Sequence, residues 1–157
     1  MSTLKLGPVG GTGGEEFDAR PPGSGDEWKI SQIELRSGKR IDQIEITWHS
    51  KQGDSKSSPG FGGQGGDRSE VLVPHDDYLT KITGTIAWVH EGETMRDQVV
   101  SLRLVRRSGA GSEEEYGNPG PVPFSLECPE GYQILGIFGR SGKELDALGV
   151  YIDRIPE

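Results

Sequence analysis

The stretch Gly139-Arg140-Ser141-Gly142-Lys143-Glu144-Leu145-Asp146-Ala147-Leu148-Gly149-Val150-Tyr151 sets a tight glycine turn and one carboxylate directly ahead of an apolar strand. A glycine, three residues and an aspartate make a short loop whose backbone N–H groups can point the same way as the Asp side chain. Donors and acceptors then stand side by side, which is what a ring of vicinal hydroxyls needs. Nothing in the stretch has the make-up of a catalytic centre.

The pattern recurs in Ser37-Gly38-Lys39-Arg40-Ile41-Asp42-Gln43-Ile44-Glu45-Ile46, so both stretches read Ser-Gly-Lys-x-aliphatic-Asp-x-aliphatic-x-aliphatic. A weaker third copy is Glu91-Gly92-Glu93-Thr94-Met95-Arg96-Asp97-Gln98-Val99-Val100, whose loop is one residue longer and carries Asp97 at the carboxylate position. Glycine clusters also come in a pair, Gly10-Gly11-Thr12-Gly13-Gly14 and Gly62-Gly63-Gln64-Gly65-Gly66. Self-similarity of this kind marks a repeated structural unit, and the chain reads as two or three copies of one β unit.

The residues between these motifs alternate as strands do. Trp28, Ile30, Ile33 and Leu35 slip phase between Ile30 and Ile33, which suggests a bulge. Ile41, Ile44, Ile46 and Trp48 continue in a second strand, so Gly38 and Lys39 turn a hairpin. A strand at Val71 and Val73 ends at Pro74, and strands from Tyr78 and from Val99 pair across Glu91-Gly92-Glu93. Phe124 and Leu126 make a short strand, and 132–138 and 148–155 form the last hairpin. The segments 53–60 and 108–121 read as loops, and no stretch has a helical period capped at both ends. The expected fold is all-β, closed or nearly closed.

Composition agrees with short strands and tight turns: 25 glycines and 31% hydrophobic residues in a 157-residue chain, a length suited to one domain. No run approaches the roughly 20 apolar residues of a membrane-spanning helix. The start Met1-Ser2-Thr3-Leu4-Lys5-Leu6-Gly7 shows no extended apolar segment, so a cytoplasmic or non-classically secreted location is expected. A formal charge of −8 argues against nucleic acid as a partner, because phosphate binding needs clustered Lys and Arg on one face. Arg103, Arg106 and Arg107 are followed by Glu113-Glu114-Glu115, a pattern expected of a solvated strand end and loop.

Two readings of the paired loops remain at this point. In one, each Asp accepts hydrogen bonds from adjacent sugar hydroxyls, each roughly 1.5–3 kcal/mol before desolvation, and a glycine-rich loop adds an N–H. In the other, Gly38 and Gly142 are turn residues and each Asp bonds only its own turn.

Resemblance favours the first reading. The run 7–14 followed by Phe17-Asp18, then Gly38 to Asp42, then Phe61-Gly62-Gly63-Gln64-Gly65-Gly66, then Ile137-Phe138-Gly139 through Asp146 to Tyr151, resemble the jacalin-related lectins over nearly the whole chain. The resemblance implies a single lectin domain over 1–157, a β-prism of three four-stranded Greek-key sheets with pseudo-threefold symmetry, binding sugar without metal or other cofactor. It implies a primary site at Gly14, Gly142, Lys143, Glu144, Leu145 and Asp146. A second site built the same way would use Gly66 with Gly38, Lys39, Arg40, Ile41 and Asp42. The third copy, whose partner loop Tyr116-Gly117-Asn118-Pro119-Gly120 lacks double glycines, is expected to be silent.

The chain runs on through Gly14 and carries Lys143 and Glu144 in its last loop, where galactose-specific relatives are cleaved and aromatic respectively. Mannose- or glucose-containing oligosaccharides and glycoproteins are the expected partners, with oligomerisation as a means of multiplying sites. An alternative is a non-catalytic module that binds other proteins on the same fold.

Other chemistries fit less well. His49, His75 and His90 lack metal-ligand spacing, and Glu15 and Glu16 would need to straddle one bond to act as a glycosidase pair. Cys128 is the sole cysteine, with nothing nearby to lower its pKa. The run 62–67 partly fits a calcium β-roll repeat but is not tandem and has Ser69 where a large apolar residue belongs.

Overall fold

The computed structural model describes residues 3–91, 94–111 and 114–157. Gly92 and Glu93 of the expected turn, and Glu113 of the acidic run, lie outside them. In chain order the strands are β1 (Leu4–Gly10), β2 (Glu15–Ala19), β3 (Trp28–Ser37), β4 (Ile41–Ser50), β5 (Ser55–Ser57), β6 (Phe61–Gly62), β7 (Asp67–Leu72), β8 (Leu79–Glu91), β9 (Thr94–Arg106), β10 (Tyr116–Gly117), β11 (Val122–Glu127), β12 (Tyr132–Ser141) and β13 (Leu145–Arg154).

They form three antiparallel sheets ordered β1-β13-β12-β2, β5-β4-β3-β7 and β10-β9-β8-β11. Each is built on one long hairpin, β3–β4, β8–β9 or β12–β13. In the two sheets from the middle of the chain, the segment after the hairpin pairs with its second arm and the next strand crosses back to its first, which is a Greek key. The last hairpin receives its outer strands from the N-terminus, β1 on β13 and β2 on β12, so both ends of the chain share one sheet.

One sheet departs from the expected four strands. Both β5 and β6 pair with β4, because Pro59, which has no N–H for the ladder, interrupts the outer strand between them. The expected bulge is present: the β3–β4 register shifts between Ile30 and Gln32.

The alternating residues of all three sheets meet in one core, in which Ile33, Leu35, Ile44, Ile46, Ile82, Leu102, Ile134, Ile137, Leu148 and Val150 are fully buried. Trp48 ties two sheets together, its Nε1 donating to the Leu135 carbonyl at 2.7 Å inside that core.

Register makes the internal repeat explicit. Gln43 lies opposite Gly62, Ala147 opposite Gly10 and Ser101 opposite Gly117. One residue back from each, Asp42, Asp146 and Val100 occupy equivalent places. Val100, not Asp97, is therefore the third counterpart, and the alignment expected from sequence is corrected.

The third hairpin is also longer. Ser37 pairs with Ile41 and Ser141 with Leu145, closing turns at 38–40 and 142–144. At the same level Ile86 pairs with Val99, but the ladder continues through Ala87–Gln98, Trp88–Asp97, Val89–Arg96 and His90–Met95 to Glu91–Thr94. This arm stands beyond the other two turns at the same end of the molecule.

Candidate functional site

Both Asp loops are built alike. Gly38 N–H donates to Arg40 O at 3.1 Å and Gly142 N–H to Glu144 O at 3.0 Å. The loop glycine's own donor is thus used inside the turn, and donors for a ligand must come from the residues after it. Ile41 and Leu145 are fully buried, so their side chains anchor the loops in the core and only their backbone faces the site.

The glycine-rich loops dock on these turns with matching contacts. Gly63 N–H donates to Asp42 O at 2.8 Å, and Gly11 N–H to Asp146 O at 2.8 Å. Gly66 and Gly14 hold φ of 74° and 67°, a region other residues rarely adopt. A Cβ on Gly66 would lie 2.5 Å from Asp42 Oδ2, and one on Gly14 would lie 2.7 Å from Asp146 Oδ2. The absent side chains let main chain and carboxylate share one small space. Gly142 and Gly38 sit across from Gly14 and Gly66, a Cβ on either lying 3.8 and 3.9 Å from the partner Cα respectively.

Two arginines hold the glycine-rich loops in place. Arg140 Nε donates to Gly13 O at 3.0 Å and its Nη2 to Gly14 O at 2.9 Å. Arg36 Nη1 donates to Gln64 O at 3.2 Å, with Gly66 O at 3.5 Å. Neither was singled out from sequence, although each directly precedes a shared Ser-Gly-Lys and could have been found there.

Beyond this common frame the two carboxylates differ. Asp42 is half-buried and borders a cleft of about 350 Å³ lined by Gly63, Gln64, Gly65, Lys143 and Glu144. Among the described residues no hydrogen bond reaches its carboxylate, so the turn does not depend on it. Burial pushes the Asp42 carboxyl above its ordinary value, and Glu144 adds to the push while Arg40 and Arg36 oppose it. Lys143 and Glu144, expected beside Asp146, also form the rim of this second cleft.

Asp146 is fully buried. Gln98 Nε2 donates to its Oδ1 at 3.0 Å, and Arg96 Nε lies 3.2 Å from the same oxygen. Both residues come from β9, on the long arm, and neither was foreseen as part of the site. Arg40, Gln98 and Glu144, which occupy equivalent positions in the three repeats, meet between the loops: Arg40 Nη1 is 2.7 Å from Glu144 Oε1 and 3.5 Å from Gln98 Oε1.

The jacalin-like lectin domain family matches residues 6–151. This chain belongs to that family. Among similar jacalin-like lectins, horcolin of Hordeum vulgare is 32% identical over 151 residues, covering 95% of this chain and 96% of its own. Calsepa, a jacalin-related lectin of Calystegia sepium, is 32% identical, covering 96% and 95%. The fold likewise matches artocarpin in complex with mannotriose, with a TM-score of 0.85, 26% identity and coverage of 98% and 99% of the two chains. A mannose-binding jacalin-related lectin from Ananas comosus aligns with a TM-score of 0.80 at 25% identity, covering 97% and 98%. The three sheets described above are thus the β-prism of this family.

These relatives are lectins. Burial, with Glu127 nearby, pushes the Cys128 thiol up to about 12, where it does not act as a nucleophile near neutral pH. Among the described residues no three His, Cys, Asp or Glu side chains gather as metal ligands.

Proposed function

We propose that this jacalin-like chain binds mannose- and glucose-type glycans without a metal, through the site design shared by the Asp42 and Asp146 loops and their glycine-rich partners. In an open site of this design the carboxylate accepts from two neighbouring sugar hydroxyls. The N–H groups of Lys39 and Arg40, or of Lys143 and Glu144, donate to the same ring, and Gly66 or Gly14 adds another. The Val100 position has no acceptor and stays silent.

One observation carries this reading: the same apposition of carboxylate and positive-φ glycine occurs twice, with matching 2.8 Å docking bonds. Chain continuity through Gly14 and the mannose ligands named for artocarpin and the Ananas lectin support the sugar class. Multivalent glycans gain through effective concentration rather than through any new contact.

Calorimetry with methyl α-mannoside in the presence of EDTA tests the reading. The wild-type protein is expected to bind the mannoside, and D42N/D146N to lose at least about tenfold in affinity, the scale of one hydrogen bond to a charged group. Undiminished binding by that double variant, or binding abolished by EDTA, overturns it.

A further inference from the structure

We infer that Arg96 closes the Asp146 site to neutral sugars and leaves the Asp42 cleft as the site that binds in the resting protein. The inference rests on the lectin reading above and decides between its two sites.

Pseudo-symmetry locates the obstruction. Lys143 and Glu144 line the Asp42 cleft, and Asp97 and Gln98 are their register equivalents beside Asp146. The main chain agrees: a Cβ on Gly63 would lie 2.5 Å from Lys143 O, and one on Gly11 would lie 2.1 Å from Asp97 O. Each glycine-rich loop therefore leans on the hairpin of the neighbouring repeat. Around Asp42 that neighbour is a short turn ending in solvent. Around Asp146 it is the long arm, which has room to send a side chain back over the site.

Arg96 is that side chain. Gly65 faces Asp42, with its Cβ direction 2.8 Å from Oδ1. At the equivalent Gly13, the same direction meets Asp146 Oδ1 at 2.8 Å and also Arg96 Cδ and Nη1 at 2.8 Å. The guanidinium stem thus lies in the slot between glycine loop and carboxylate. Asp146 ends with no solvent exposure, whereas the Arg96 side chain keeps 24% of its own.

A sugar hydroxyl approaching Oδ1 must displace the Gln98 amide bonded there and the Arg96 guanidinium paired with it at 3.2 Å. A neutral hydroxyl competes poorly with a cation for a buried carboxylate. Asp42, with no hydrogen bond from the described residues, presents no such competitor.

The test combines backbone-amide NMR on the wild-type protein with calorimetry on variants, using methyl α-mannoside throughout. In the wild type, amides of Gly63, Gly65 and Gly66 are expected to shift on titration while those of Gly11, Gly13 and Gly14 stay put. D42N should lose binding, D42N/R96A should regain one site per chain with affinity at least about tenfold above D42N, and D42N/R96A/D146N should lose it again.

Wild-type shifts at Gly13 and Gly14 equal to those at Gly65 and Gly66, or D42N binding through Asp146 with Arg96 intact, overturn the inference while the lectin reading stands. A folded D42N/R96A that does not bind overturns it as well. Should R96A not fold, the wild-type amide shifts decide alone. Absence of mannoside binding by every variant and by the wild type defeats the lectin reading itself, and the inference with it.

Discussion

Under the proposed function, Asp42 is the residue at which stability and binding pull apart. Its folded pKa is raised by burial and by Glu144, so the fold favours the neutral acid over the carboxylate. The linkage sign follows: its contribution to stability is complete below the ordinary value of 3.8 and is lost as pH rises through the raised folded value. At neutral pH the protein holds an ionised group at some cost, and that ionised group is the acceptor in the proposed sugar site. Mannoside affinity is therefore expected to fall on acidification with a midpoint above 3.8, read by calorimetry across the acid range. D42N at pH 7 is expected to unfold in urea no earlier than the wild type while losing the sugar. A variant both non-binding and clearly less stable would mean that Asp42 supports its own turn.

At the scale of elements, sheet edges position loops and loops position donors. The glycine-rich loops have few side chains of their own to hold them, so Arg36 from β3 and Arg140 from β12 clamp their carbonyls from outside. Arg36→Ala removes a partly exposed side chain, and surface changes of this kind cost about 0.5 kcal/mol or less. The loop at 62–66 should nevertheless loosen, with faster amide exchange at Gly65 and Gly66 and mannoside affinity at the Asp42 cleft weakened several-fold. Unchanged exchange there would show that the docking bond from Gly63 to Asp42 O suffices. The third hairpin shows the reverse arrangement: its arm supplies no residue to the buried core cluster from 87 to 90 or from 95 to 98, yet reaches across to a neighbouring repeat.

Over the whole molecule, three sheets share one core, and Trp48 makes a polar link inside it. Its Nε1 bond to Leu135 O is buried, and Trp48→Phe keeps an aromatic ring while leaving that carbonyl unpaired. The cost of such an orphaned group is about 1–3 kcal/mol. Urea unfolding should show that loss with an unchanged m-value, because the sheets still unfold together. A fall in m would indicate that one sheet had come loose from the other two.

Much of this architecture could be read directly. The Ser-Gly-Lys-x-aliphatic-Asp repeat placed both short turns, and alternation located every long strand, including the phase slip at Ile30. The strands β2, β5, β6 and β10 are too short for apolar alternation to mark them. Spacing puts Asp97 at the third carboxylate position because it counts residues along the chain, whereas equivalence in a sheet is set by which residues pair across it.

The sequence by itself determined the strand pattern, the glycine positions and the two carboxylates, because backbone sterics and the alternation of buried faces are local properties. Only the tertiary structure decided that Asp42 stays open while Asp146 is covered. That difference depends on Arg96 and Gln98, which are far from both loops along the chain. They reach Asp146 only because one long hairpin and two short ones converge at one end of the prism.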